Sequence, residues 1–143
     1  MSQSFDRPAS LDTTQKSAAT QEWAECALNS EALAFAHDLI QARHYVIGTS
    51  WAEHEPTEAQ RRAFLETHPW EDYALWHLGL TEGAADRTLA RYDFVVGDFM
   101  RLHRSALVEC AARAATYRDR SIEAAARDLL ALIDHRSGVA AGA

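Results

Sequence analysis

The stretch TLARYDFVVGDFMRLHR, residues 88–104, decides the fold. Its first half suits either a short helix or an extended segment, and DFVVGDF is the one place where an alternating strand pattern competes with helix. The reading adopted is one helical turn followed by an irregular segment. Asp98 then becomes the N-cap of a long helix running to about Tyr117, since a short acidic side chain accepts the orphan amides of a first turn. Phe99, Leu102, His103, Ala106, Cys110, Arg113, Ala114 and Tyr117 recur at spacings of three and four. That stripe turns His103 and Arg113 inward.

Working outward, the same logic finds helices on both sides. Ser121 caps a last helix, IEAAARDLLALID, whose Ile122, Ala126, Leu129 and Ile133 share a face. Upstream, Pro69 suits a first helical position, Glu71 and Asp72 complement the positive helix end, and Gly79 ends that segment, with Trp70, Tyr73, Ala74 and His77 on one side. Thr57-Glu58-Ala59-Gln60 is a capping box for a helix over about 58–66, after a loop, TSWAEHEP, that Pro56 keeps out of helix. Ser30 caps a helix through Ile47, stopped by Gly48 and preceded by a short helical QEWAECAL. The expected fold class is therefore all-α: a compact bundle of four main helices with short extra helical turns.

Residues 1–18 are Ser-, Thr- and Gln-rich and are expected to form a flexible tail, with one helical domain over 19–135 and a frayed end over 136–143. The 143 residues carry 21 acidic and 14 basic side chains, a formal charge of -7, with no cationic run to follow a phosphate backbone, so nucleic acid is not an expected partner. No apolar run is long enough to span a bilayer, so no membrane partner is expected either. Cys26 and Cys110 form no CxxC pair, which suits packed thiols in a reducing cytoplasm.

Chemistry has few places to sit. Seven histidines raise the question of metal, but neither Glu-x-x-His nor HExxH occurs, so no metal is expected; zinc held by His77, His103 and a carboxylate from separate helices is the one arrangement left open. No GxSxG elbow, phosphate loop or dinucleotide fingerprint is present, and no cofactor is expected. What remains is an acid–base set of His103, Asp98 and His77, with Arg104 and Arg113 as anion clamps. Trp70, Tyr73, Trp76, Phe94, Phe99 and Tyr117 supply an aromatic wall around it.

The segments WHLGL, TLARYDF, GDFxxxHR, Arg113-Ala114 and Ile122-Glu123-x-Ala125-Ala126 resemble, in kind and order, a group of small uncharacterised bacterial all-helical proteins. The resemblance covers about residues 45–134. It implies a helical domain in which the His77 and Asp98/His103/Arg104 segments belong to one unit, and it implies no activity. Two functions follow as expectations. One is a small-molecule site, binding or catalytic, in an aromatic-lined pocket. The other is an interaction or assembly protein, a homodimer for instance, in which the inward polar residues only set helix register.

Overall fold

A computed structural model describes residues 25–138, and the architecture is mixed α/β, which corrects the all-α bundle expected from the sequence. The elements are β1 (Cys26–Leu28), α1 (Ser30–Gln41), β2 (Tyr45–Val46), α2 (Trp51–His54), α3 (Glu58–Thr67), α4 (Trp70–Ala74), β3 (His77–Thr81), β4 (Tyr92–Val95), β5 (Leu102–His103), α5 (Arg104–Thr116) and α6 (Arg120–Ser137). Strands β1, β3 and β4 form an antiparallel sheet in the order β1-β3-β4, with Leu28 opposite Gly79 and Gly79 opposite Asp93. Strands β2 and β5 pair in parallel, Tyr45 with Leu102 and Val46 with His103.

The helical readings fail for local reasons. Gly79 is a strand residue, not a helix stop: a Cβ there would lie 2.8 Å from Phe94 Cδ2, so the glycine lets an aromatic ring close over the sheet backbone. His77, Leu78 and Gly79 are all buried, which erases the alternation by which a half-buried strand announces itself. TLARYDFVV has a 3₁₀ turn at Leu89–Arg91, as expected, but then enters β4. Cys26–Leu28, read as part of a short helix, is β1; the start of that segment lies outside the described residues, as does the tail at 1–18.

Asp98 does not cap a helix. Its Oδ1 accepts the amides of Met100 and Arg101 at 3.0 and 2.8 Å, and its own N–H donates to the Arg101 carbonyl at 3.1 Å. The carboxylate thus captures local backbone groups that a helix would need, and the chain closes into a tight turn. Gly97 is required at its start, since a Cβ would stand 2.5 Å from both Trp76 and the Arg101 carbonyl. Phe99 takes a left-handed φ of 72°, an uncommon conformation for a bulky side chain. The helix starts only at Arg104, so Phe99, Leu102 and His103 are not on it.

Other boundaries shift too: α1 ends at Gln41 rather than Ile47, Tyr45–Val46 leaves the helix for β2, and Trp51–His54, expected as loop, forms α2. Asn29, not Ser30, caps α1, accepting from Ala32 N while its amide donates to the carbonyls of Ala74 and His77, both at 3.1 Å. One side chain thereby ties α1 to the junction of α4 and β3. The Thr57–Gln60 capping box is formed as expected. Asp119, not Ser121, stands at the N-cap of α6, and this helix runs through Ser137 to a left-handed Gly138. α5 and α6, joined by Tyr117–Asp119, pack as a hairpin. Leu107, Cys110 and Ala114 meet Ile122, Leu129 and Ile133 in a core completed by Ala36 and Ile40 of α1 and Leu78 of β3. Among the described residues no helix is long and apolar enough to cross a membrane.

Candidate functional site

The parallel β2–β5 pair brings two distant loops together. After β2, Thr49 faces the first turn of α5; before β5, the 97–101 turn presents Asp98. Between them lies His103, 1% exposed. Its Nε2 is 2.9 Å from Asp98 Oδ2 and its Nδ1 3.0 Å from Thr49 Oγ1, which is in turn 3.2 Å from Ser105 Oγ.

The directions of these bonds follow from what each atom can do. Burial works to raise the Asp98 pKa, but the His103 bond and the amides of Arg101 and Met100 together outweigh it and hold the carboxyl below its usual value. Asp98 is then an acceptor, so the neutral tautomer that this bond selects for His103 carries its proton on Nε2 and presents a lone pair at Nδ1. Thr49 must donate to that lone pair, and Thr49 oxygen accepts from Ser105. The hydrogen-bond network thus assigns an oriented chain from Ser105 through Thr49 and His103 to Asp98.

α2 lays Trp51 and His54 over the imidazole, each with its ring centroid 5.2 Å from that of His103. His54 Nδ1 is 2.9 Å from the Ser50 carbonyl, which can only accept, so Nδ1 carries the proton and Nε2 is the basic nitrogen. No partner for Nε2 occurs among the described residues. His54 and Asp98 both line an open pocket of about 660 Å³ between α2, α3 and the 97–101 turn. Phe64 and Phe99, stacked at 4.6 Å, and Gln60 contribute to its wall, and Glu53 and Glu55 add carboxylates.

His77 belongs to a separate set. It is fully buried, its Nδ1 donates to the Tyr73 carbonyl at 2.9 Å, and its Nε2 accepts from Arg61 Nη1 at 3.3 Å. Burial, joined by the Arg61 charge, pushes its pKa down to about 3. The ring is therefore neutral, and it shares no hydrogen-bond partner with His103. Among the described residues no group of three His, Cys, Asp or Glu side chains is placed to hold a metal ion.

Of the residues singled out in the sequence, Asp98 and Phe99 line the pocket and His103 lies directly behind Asp98. Tyr73 and Trp76 are buried behind Phe99, at centroid distances of 5.6 and 6.1 Å, and Trp70 stacks on Tyr92. Arg104 forms a two-pronged bond to Asp134 at 2.7 and 3.1 Å, tying α5 to α6. Arg113 pairs with Asp93 at 2.6 Å and lies 4.1 Å over the Phe94 ring. Both guanidiniums are thus held by carboxylates of neighbouring elements, and neither lines the pocket. Tyr117 is the C-cap of α5, at the end of the helix opposite His103, roughly 20 Å away at 1.5 Å per residue.

Thr49, His54 and Ser105 escaped the sequence reading. Ser50 and His54 stand four apart, and Ser105 follows His103 by two, but nothing in the spacing joins residue 49 to residue 103. Neither a family model, nor a curated protein, nor a solved structure matches this chain.

Proposed function

We propose that the chain binds a small molecule in the pocket bordered by His54, Asp98 and Phe99 and acts on it by acid–base chemistry that needs no cofactor, with Asp98 and His103 as the couple. The observation that carries this reading is the buried imidazole held between an ionised carboxylate and a hydroxyl pair, with the carboxylate on a pocket wall. A histidine so held has one proton donor and one acceptor in fixed directions, as a proton-transferring group requires. Left-handed Phe99 adds weight, since backbone strain concentrates where a site demands a particular geometry.

Compartment and partners belong to the same proposal. Neither Cys26 nor Cys110 is in a disulfide, and the buried Cys110 thiol is pushed up to about 12, an inert group suited to a reducing cytoplasm. The acidic charge argues for a small ligand over nucleic acid. Self-association is the second reading, favoured by Met100, 76% exposed at the tip of the 97–101 turn; sedimentation of the full chain decides it.

The site is tested by screening small metabolites against the full chain by saturation-transfer NMR. Ala63→Trp, which fills the pocket from α3, is expected to weaken every true hit tenfold or more. Absence of any ligand, or hits indifferent to Ala63→Trp, would sink the reading.

A further inference from the structure

We infer that Thr49 is a nucleophile that takes an acyl group from a small ester or similarly activated acyl donor. The inference rests on the reading of Asp98 and His103 as an acid–base couple and adds the reacting atom and the reaction class. Three features converge on the hydroxyl. Thr49 Oγ1 is 3.0 Å from the acceptor nitrogen of His103, the arrangement that activates an alcohol. The opposite nitrogen is held at 2.9 Å by Asp98, which fixes the tautomer and steadies the imidazolium that forms. Thr49 also lies against the first turn of α5, 3.2 Å from Ser105 Oγ, where the leading N–H groups of a 13-residue helix have no acceptor within the helix and favour developing negative charge. Thr49 is only half-buried and does not line the pocket that Asp98 borders, so the acyl donor meets it at the partly exposed loop between β2 and α2.

In the first step an oxygen lone pair of Thr49 adds to the ester carbonyl carbon while its proton passes to His103 Nδ1. The tetrahedral adduct then collapses, the bond to the leaving oxygen breaks, and that oxygen takes the proton from Nδ1 to leave as an alcohol. Water repeats the sequence on acyl-Thr49, giving a carboxylic acid and the original hydroxyl. Asp98 keeps its charge throughout and acts through His103 as a positioning residue, while Ser105 donates to Thr49 and leaves a second oxygen lone pair for attack.

The test uses p-nitrophenyl acetate on the full chain, with p-nitrophenolate release read by absorbance and the adduct located by peptide mass spectrometry. An acetyl group is expected on Thr49, retained in Thr49→Ser, absent in Thr49→Val, and formed about a hundredfold more slowly in His103→Gln, the usual loss for a general base. Thermal melts identify any variant that has lost its fold, and Thr49→Ser against wild type keeps the comparison usable if Thr49→Val has. Acetylation confined to other side chains, or labelling of Thr49 as fast in His103→Gln as in wild type, overturns the inference. Pocket ligands that still bind a chain in which Thr49 takes no acetyl would show that the nucleophile fails while the pocket stands.

Discussion

Arg61 donates from Nη1 to Nε2 of His77 across 3.3 Å, a cation bonded to a neutral imidazole inside the core. The unfolded chain protonates His77 near its ordinary 6.5, whereas the native chain resists until about 3. Unfolded molecules therefore bind the extra proton between those values, and native stability falls as pH drops below about 6.5. At about 1.4 kcal/mol per pH unit the full loss, reached near pH 3, is on the order of 5 kcal/mol. Urea titrations between pH 8 and 4.5 should show a steeper acid decline for wild type than for His77→Gln. Parallel curves would disprove the neutral assignment.

Asp119 works in the other direction. Burial, with the nearby Glu25 charge, raises its pKa to about 6, against the Cys26 amide that favours its charged form. The native state binds this proton below about pH 6 and the unfolded state only near 3.8, so the cost of ionised Asp119 is present above pH 6 and disappears as pH falls. Asp119→Asn, which keeps an acceptor for the Cys26 amide, should stabilise the chain at pH 8 by roughly 1 kcal/mol, a figure kept low because the carboxylate is partly solvated. The gain should vanish near pH 4.

Asp93 serves two partners: its Oδ2 pairs with Arg113, and its Oδ1 accepts the amide of Phe94, a residue at φ 61°. Removing it strips the acceptor from a strained turn of β4 as well as the ion pair. Asp93→Ala should therefore cost about 2–3 kcal/mol, and Arg113→Ala, which loses a half-exposed pair and a ring contact, about 1 kcal/mol. Thermal denaturation of both variants checks the order, and equal losses would assign Asp93 to the ion pair alone.

The legible parts of this chain were those that need no distant partner. The Thr57–Gln60 box and the α6 face of Ile122, Leu129 and Ile133 depend on spacing alone, and both stand where the sequence puts them. Strands β2 and β5 have two residues each, too few to show a period, and each exists only because the other is there. Asp98 and His103 mark the same boundary. On the helix their sequence suggests they would point about 140° apart, at 100° per residue. The Asp98 side chain takes two amides instead, the helix is delayed to Arg104, and the resulting turn brings the pair to 2.9 Å.

Gly97 tests whether that turn holds the site. A Cβ at this position meets Trp76 and the backbone carbonyl of Arg101, both at 2.5 Å, and a carbonyl cannot rotate out of the way as a side chain can. At Gly79 the nearest atom is the Phe94 ring at 2.8 Å, a longer contact and one made to a side chain with no backbone atom among the nearest neighbours. Gly97→Ala should cost about 2–3 kcal/mol, in the upper range for an overpacked core, and Gly79→Ala less. The two should differ further in the NMR signals of His103. Gly97→Ala displaces Asp98 from Nε2 and shifts the ring resonances, while Gly79→Ala, although also destabilised, leaves them in place. If His103 is unmoved by Gly97→Ala, the Asp98 bond does not depend on the turn, and the orientation of the imidazole must come from Thr49 and the rings of Trp51 and His54.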